Sequence, residues 1–223
     1  MKTFIANYPS HNDEDTVSAS TVLNDFVKGC KIVLKDKVIF LMLGTSILAN
    51  LFISGFNDIF LAYCLEAGFT LEQYGYLSSI MSLGGVAGVG LLTIMTFKEN
   101  KQLPIGCISF SISMVIMGIG TYYPSMIFTS VCYLLSAVLN SFGNGLFNGV
   151  MLLALPDQSR GVLLGLIAAV TTLGCAISSL IYGFLGNIMS IELLGLIGSI
   201  LSAVPFILCM LTLEKTKAKQ QNV

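Results

Sequence analysis

Six apolar runs follow one another from residue 38 onward, separated only by short polar segments. They lie near 38–62, 74–97, 103–121, 125–155, 161–186 and 191–213, and each can cross a bilayer, which takes about 20 helical residues. The pattern predicts an all-α integral membrane protein with six transmembrane helices over residues 38–213. Residues 1–37 are set apart as an N-terminal segment that carries the acidic run Asp13-Glu14-Asp15. Its last part, Val22 to Lys37 (VLNDFVKGCKIVLKDK), mixes lysines with Leu, Val, Phe and Ile, which suits a short helix lying along the membrane surface. Residues 214–223 form a basic tail.

One polar pattern interrupts the apolar one. Ser136 to Gly149 reads SAVLNSFGNGLFNG, and Asn140, Asn144 and Asn148 recur at steps of four. On a helix they share one face, with Gly143, Gly145 and Gly149 among them to allow close backbone approach. An unsatisfied amide is costly in hydrocarbon, so this stripe needs partners or water.

Composition agrees with a membrane protein and narrows the function. Hydrophobic residues make up 55% of the chain and charged residues 10%, with mean hydropathy +0.85. A soluble domain carries about 25% charged residues. The net charge of -1 speaks against nucleic acid, which calls for a clustered basic face. His11 is the only histidine, so a histidine metal site or a Ser-His triad has no material. The cysteines Cys30, Cys64, Cys107, Cys132, Cys175 and Cys209 form no CxxC pair and read as small hydrophobes. No cofactor is implied, and no spaced cluster supports an enzyme.

The charges also orient the spans. With a cytoplasmic N-terminus, the inner segments 1–37, 98–102, 156–160 and the tail hold every Lys and Arg of the chain. The outer loops hold only Glu66, Glu72 and Glu192. This positive-inside distribution predicts a multi-pass protein of the cell membrane with both termini cytoplasmic. Tyr63, Tyr74, Tyr76, Tyr122, Tyr123 and Tyr182 fall near the outer ends, where interface aromatics are expected.

Sliding the sequence by ninety residues, without a gap, pairs Ser46 with Ser136, Asn50 with Asn140, Ser54 with Asn144 and Gly55 with Gly145. It also sets Asp58 against Asn148, Gly75 against Gly165 and Gly84 against Gly174. Span one thus matches span four, and span two matches span five. Three spans is an odd number, so the repeats run in opposite directions through the membrane. An inverted three-plus-three repeat puts a substrate path between the matched helices.

Three stretches carry a resemblance to a known family, and the resemblance extends over nearly all of the chain. FVKGCKIVLKDKVIFLMLGTSILANLFISGF is similar to an interfacial helix followed by a first span, and AGFTLEQYGYLSSIMSLGGVAGVGLL to the start of the next span. LPDQSRGVLLGL resembles an inner "P…RG…G" loop, carried by Pro156, Arg160, Gly161 and Gly165. The chain resembles the C-terminal six-helix half of a major facilitator superfamily transporter, in the bacterial drug and macrolide efflux branch. The loop FKENKQLP matches the basic Gly-Asp-Arg motif of the superfamily only in degenerate form. The resemblance implies half of a twelve-helix fold, completed by a separate N-terminal-half chain or by a second copy.

By this resemblance the first and fourth spans line a cavity. Asn50, Ser54, Asn57, Asn140, Asn144 and Asn148 then lie on the substrate path, their alternative role being hydrogen bonding between helices. Asp58 is the only acid more than two residues inside a predicted span: a proton or cation carrier, or a solvated residue at the outer mouth. Arg160 and Gly161 form a conformational loop, or Arg160 is a plain anchor aided by Asp157. Gly84, Gly85 and Gly88, and Gly174 with Ser178, permit close helix contact, while Met and Phe of the spans read as core or lipid-facing. The expected function is half-size or split secondary transport, exporting small amphipathic compounds with proton antiport as a coupling mode. The alternative is a truncated, non-transporting remnant. A green fluorescent protein fused after residue 100 should glow in the cytoplasm, and one fused after residue 68 should stay dark; the reverse pattern refutes the orientation.

Overall fold

The computed structural model describes residues 27, 29–31, 33–156 and 160–221, with side chains as far as residue 213. Lys2, His11, Asp13, Lys28 and Asp157 lie outside the described residues, as do the side chains of Lys215, Lys217 and Lys219. The helices are α1 (Lys37–Asp58), α2 (Phe60–Glu66), α3 (Leu71–Ile94), α4 (Glu99–Tyr122), α5 (Met126–Ala154), α6 (Arg160–Leu185) and α7 (Ile191–Gln221). Six of them are long and apolar enough to cross a membrane. The described part of 27–35 is helical, and Gly29 packs near Val162 and Leu166 at the start of α6.

Local chemistry starts the helices where the sequence turns polar. The Asp36 carboxylate accepts from the backbone N–H of Val38 at 2.8 Å and of Ile39 at 3.1 Å, capping α1. Thr70 and Gln73 form a capping box at α3. The predicted first span is divided at Ile59, just after Asn57 and Asp58, two poor helix formers; α2 continues beyond it.

Neighbouring helices follow the order α3–α5–α4–α7–α1–α6. In span numbers this is two, four, three, six, one, five. Exchanging span one with four, two with five and three with six turns that order into its own reverse. The inverted repeat is therefore built into the packing, and it holds down to single residues. A Cβ on Gly84 would lie 2.8 Å from Ala137 Cβ; the shifted pair is Gly174 and Ile47, where the distance would be 3.6 Å. Likewise Gly145 abuts Leu92, and Gly55, ninety residues earlier, abuts Tyr182, ninety residues after Leu92. The fold is one six-helix unit of the inverted-repeat kind.

The glycines carry the tightest contacts. A Cβ at Gly55 would lie 2.5 Å from Ser178 O, while the Gly55 N–H donates to Ser178 Oγ at 2.8 Å. Gly88 meets the Val138 carbonyl just as closely. The interface role expected for two tyrosines is corrected here: Tyr63 is fully buried and donates to Thr121 O at 3.1 Å, and Tyr182 is buried and donates to Phe52 O. Both hydroxyls reach backbone carbonyls across a helix interface, which proximity to a helix end does not reveal. Gly55→Ala should destabilise the bundle by about 1–3 kcal/mol, since backbone cannot yield. Gly44→Ala, where a Cβ meets nothing within 4 Å, should be neutral or slightly stabilising. Thermal unfolding in detergent compares them, and equal melting points would refute the contact.

Candidate functional site

α1 and α5 touch only sparsely. Between them lies a cavity of about 350 Å³. α4 and α7 close it behind, and Met81 of α3 borders it. Its position follows from the repeat, because α1 and α5 are the matched spans one and four.

The cavity has two chemical flanks. Asn50, Ser54 and Asn57 from α1 and Asn140 and Asn144 from α5 supply amides and a hydroxyl. The matched pairs Ser46/Ser136, Asn50/Asn140 and Ser54/Asn144 all line it, so the repeat gives the polar flank an approximate two-fold symmetry. Phe110, Met114 and Met117 of α4, with Phe206 of α7, form the apolar flank. The Phe110 and Phe206 rings stand 3.9 Å apart, and Phe147 backs Phe206 at 5.2 Å. Tyr133 closes the other end, its hydroxyl 2.9 Å from Thr121 Oγ1. Among the described residues, no charged side chain lines the cavity.

The amides are held in place with capacity to spare. Asn50 Nδ2 donates to Ser46 O at 2.8 Å, and Asn50 Oδ1 faces Cys175 Sγ at 3.8 Å. Asn144 Nδ2 donates to Asn140 Oδ1 at 2.8 Å, so the stripe partly satisfies itself. Two acceptor and donor groups, Asn144 Oδ1 and Asn140 Nδ2, have no protein partner among the described residues, and neither has the buried Ser54 hydroxyl. A ligand or water in the cavity can take up all three.

The remaining candidates are not brought together with these. Asn148, one turn beyond Asn144, is exposed and outside the lining, as is its repeat partner Asp58. Asp58 ends α1 beside Asn57 and accepts a hydrogen bond from Ser179 of α6. Arg160, half-buried, and Gly161, exposed, begin α6 and do not line the cavity. Conversely, Met81, Met114, Met117, Phe110 and Phe206 line it, although the sequence pattern assigns the Met and Phe of the spans to core or lipid. Phe110, Met114 and Met117 share one helix face, but an apolar face by itself does not tell cavity from core.

A six-helix inverted repeat around a polar cavity is the architecture of one transporter superfamily, and the model of the Major Facilitator Superfamily matches residues 5–179. The chain belongs to the major facilitator superfamily. No curated protein and no solved structure matches it significantly. As a major facilitator protein it is a multi-pass membrane transporter whose substrate is a small molecule. In a cysteine-free background, Asn140→Cys should react with a polar maleimide, whereas Leu180→Cys on the exposed face of α6 should react at least about tenfold more slowly, since thiolate forms poorly in lipid. Equal rates would mean that water does not fill the cavity.

Proposed function

We propose that this chain forms one side of an export path for small amphipathic organic compounds in the cell membrane, with both termini cytoplasmic. The observation that carries the reading is the two-flank cavity. Amides and a hydroxyl face thioethers and aromatic rings across about 350 Å³, a volume that suits a compact drug-like molecule. A substrate with one polar and one apolar side matches both flanks, and the resemblance to drug and macrolide exporters points the same way.

The path is completed by a further six helices, because α1, α4, α5 and α7 wall the cavity on one side only. Asp58 serves proton or cation coupling from the rim, where Ser179 holds its carboxylate beside Asn57. Arg160 and Gly161 act at the inner end of α6, as a grip that differs between the two access states. Proton antiport is the coupling mode this arrangement favours, with Asp58 the acid that loads.

Reconstituted vesicles with an imposed pH gradient test the reading through efflux of a fluorescent amphipathic dye. Asn140→Leu should cut flux at least about tenfold at unchanged membrane level, the cost of losing one well-placed polar contact. Asp58→Asn should leave residual flux that no longer responds to the gradient. Absence of flux from the intact protein, with or without a partner half, sinks the transport reading. Gradient-driven flux that survives Asp58→Asn removes only its coupling role.

A further inference from the structure

Two buried hydroxyls of α7 depart from the pattern of the other helices. Ser199 and Ser202 are fully buried, and neither hydroxyl has a partner among the described residues. A helical serine has a carbonyl of its own helix within reach, as Ser111 uses that of Cys107 at 2.8 Å. Neither α7 serine is bonded in this way. A buried hydroxyl left unpaired is destabilising, and here two occur one turn apart on one helix face. The same face carries Phe206, which lines the cavity.

The packing of α7 decides what lies in front of these hydroxyls. As the sixth span it runs antiparallel to the first and third, α1 and α4. Against α4, the Phe110 and Phe206 rings stand 3.9 Å apart, and a Cβ on Gly118 would lie 3.0 Å from Ser199 Cβ. Between those two contacts the register sets Met114 opposite Ser202 and Met117 opposite Ser199. Against α1, a Cβ on Gly198 would lie 2.5 Å from Phe52 O, and one on Gly195 would lie 2.7 Å from the Phe56 ring. That register brings Ala49 to the level of Ser202 and Ile53 to that of Ser199. Ala49, Ile53, Met114 and Met117 all line the cavity. The two hydroxyls therefore lie one side-chain layer behind the cavity wall. The methionines are the part of that wall best able to move, being unbranched with three rotatable bonds.

We propose that Ser199 and Ser202 form a latent hydrogen-bonding subsite of the cavity, uncovered when Met114 and Met117 swing aside for a ligand. This rests on the reading of the cavity as a substrate site, and it adds a substrate class. The class is neutral amphipathic compounds with two neighbouring oxygens, as ethers, carbonyls or hydroxyls. Hydroxyls at i and i+3 rise from Cβ atoms about 5–6 Å apart, so both converge on a pair of acceptors better than on one. An ionic group would lose more hydration among these apolar side chains than two hydroxyls return. A ligand that reaches them satisfies both orphan groups, and that gain holds the subsite open.

Equilibrium binding of coumarin and 6,7-dimethoxycoumarin to the full chain in lipid nanodiscs, read against empty nanodiscs, tests the ligand class. The dimethoxy compound should bind about tenfold tighter, the worth of its added hydrogen bonds. Ser199→Ala with Ser202→Ala should abolish that preference without lowering the melting temperature, because the hydroxyls removed are unpaired in this structure. A preference that survives the double variant, or an intact chain that shows none, overturns the proposal. Accessibility in a cysteine-free background gives a second readout. Ser202→Cys should react with methyl methanethiosulfonate, a small neutral reagent, within about tenfold of the Asn140→Cys rate, and 6,7-dimethoxycoumarin should slow it. Met114→Ile with Met117→Ile should slow Ser202→Cys at least about tenfold more than Asn140→Cys, since β-branched side chains are stiffer. A Ser202→Cys chain as unreactive as one that keeps only the buried Cys64 also overturns the proposal. Binding preference and labelling without dye flux keep the subsite and sink the transport reading; dye flux that ignores both serines does the reverse.

Discussion

Hydrocarbon supplies no hydrogen bonds, and that constraint decides where most of the polar groups of these helices go, the buried Ser199 and Ser202 hydroxyls being exceptions without a partner among the described residues. Many serine and threonine hydroxyls return to a carbonyl of their own helix, as Ser111 and Thr121 do. A few reach across to a neighbour: Ser178 accepts the Gly55 N–H, and Ser136 donates to Ser113 O at 2.9 Å. Asn50, Asn57, Asn140 and Asn144 are gathered at one cavity, while Asn148 lies outside it. Were they spread over the bundle, each would need its own partner in lipid.

Close helix contact makes this gathering workable. Without a hydrophobic drive between helices in lipid, van der Waals contact and short backbone distances hold the bundle together. Gly55, Gly84, Gly88 and Gly145 provide those distances at two related interfaces, α1 with α6 and α3 with α5. The same packing leaves α1 and α5 apart, so one set of contacts both stabilises the unit and opens the cavity. Rigid flanks and a central gap are the parts a rocking transporter needs.

The cavity's chemistry follows from the repeat only in part. Its polar flank is nearly two-fold, because matched residues from α1 and α5 meet there. Its apolar flank is not, since Phe110 and Met114 of α4 face Phe206 alone on α7. Beyond the lining the symmetry breaks in charge: Asp58 stands where the repeat has Asn148. A symmetric gap with an asymmetric rim gives the two membrane faces different electrostatics.

The spans were legible from the apolar runs, because a bilayer demands length and hydrophobicity at any position along a chain. The inverted repeat was legible too, since Asn, Ser and Gly at matched depth survive a simple slide of the sequence. The pairing of Asn50 with Asn140 follows from that slide alone. What only tertiary structure decided is which faces meet. Tyr63 and Tyr182 turned inward, Asn148 fell outside the cavity, and five Met and Phe side chains joined its lining. Helical periodicity says which residues share a face, but the neighbour that face meets depends on contacts between helices far apart in sequence. For Asn140 and Asn144 that neighbour is a gap lined by α1, and this places the amides at a cavity.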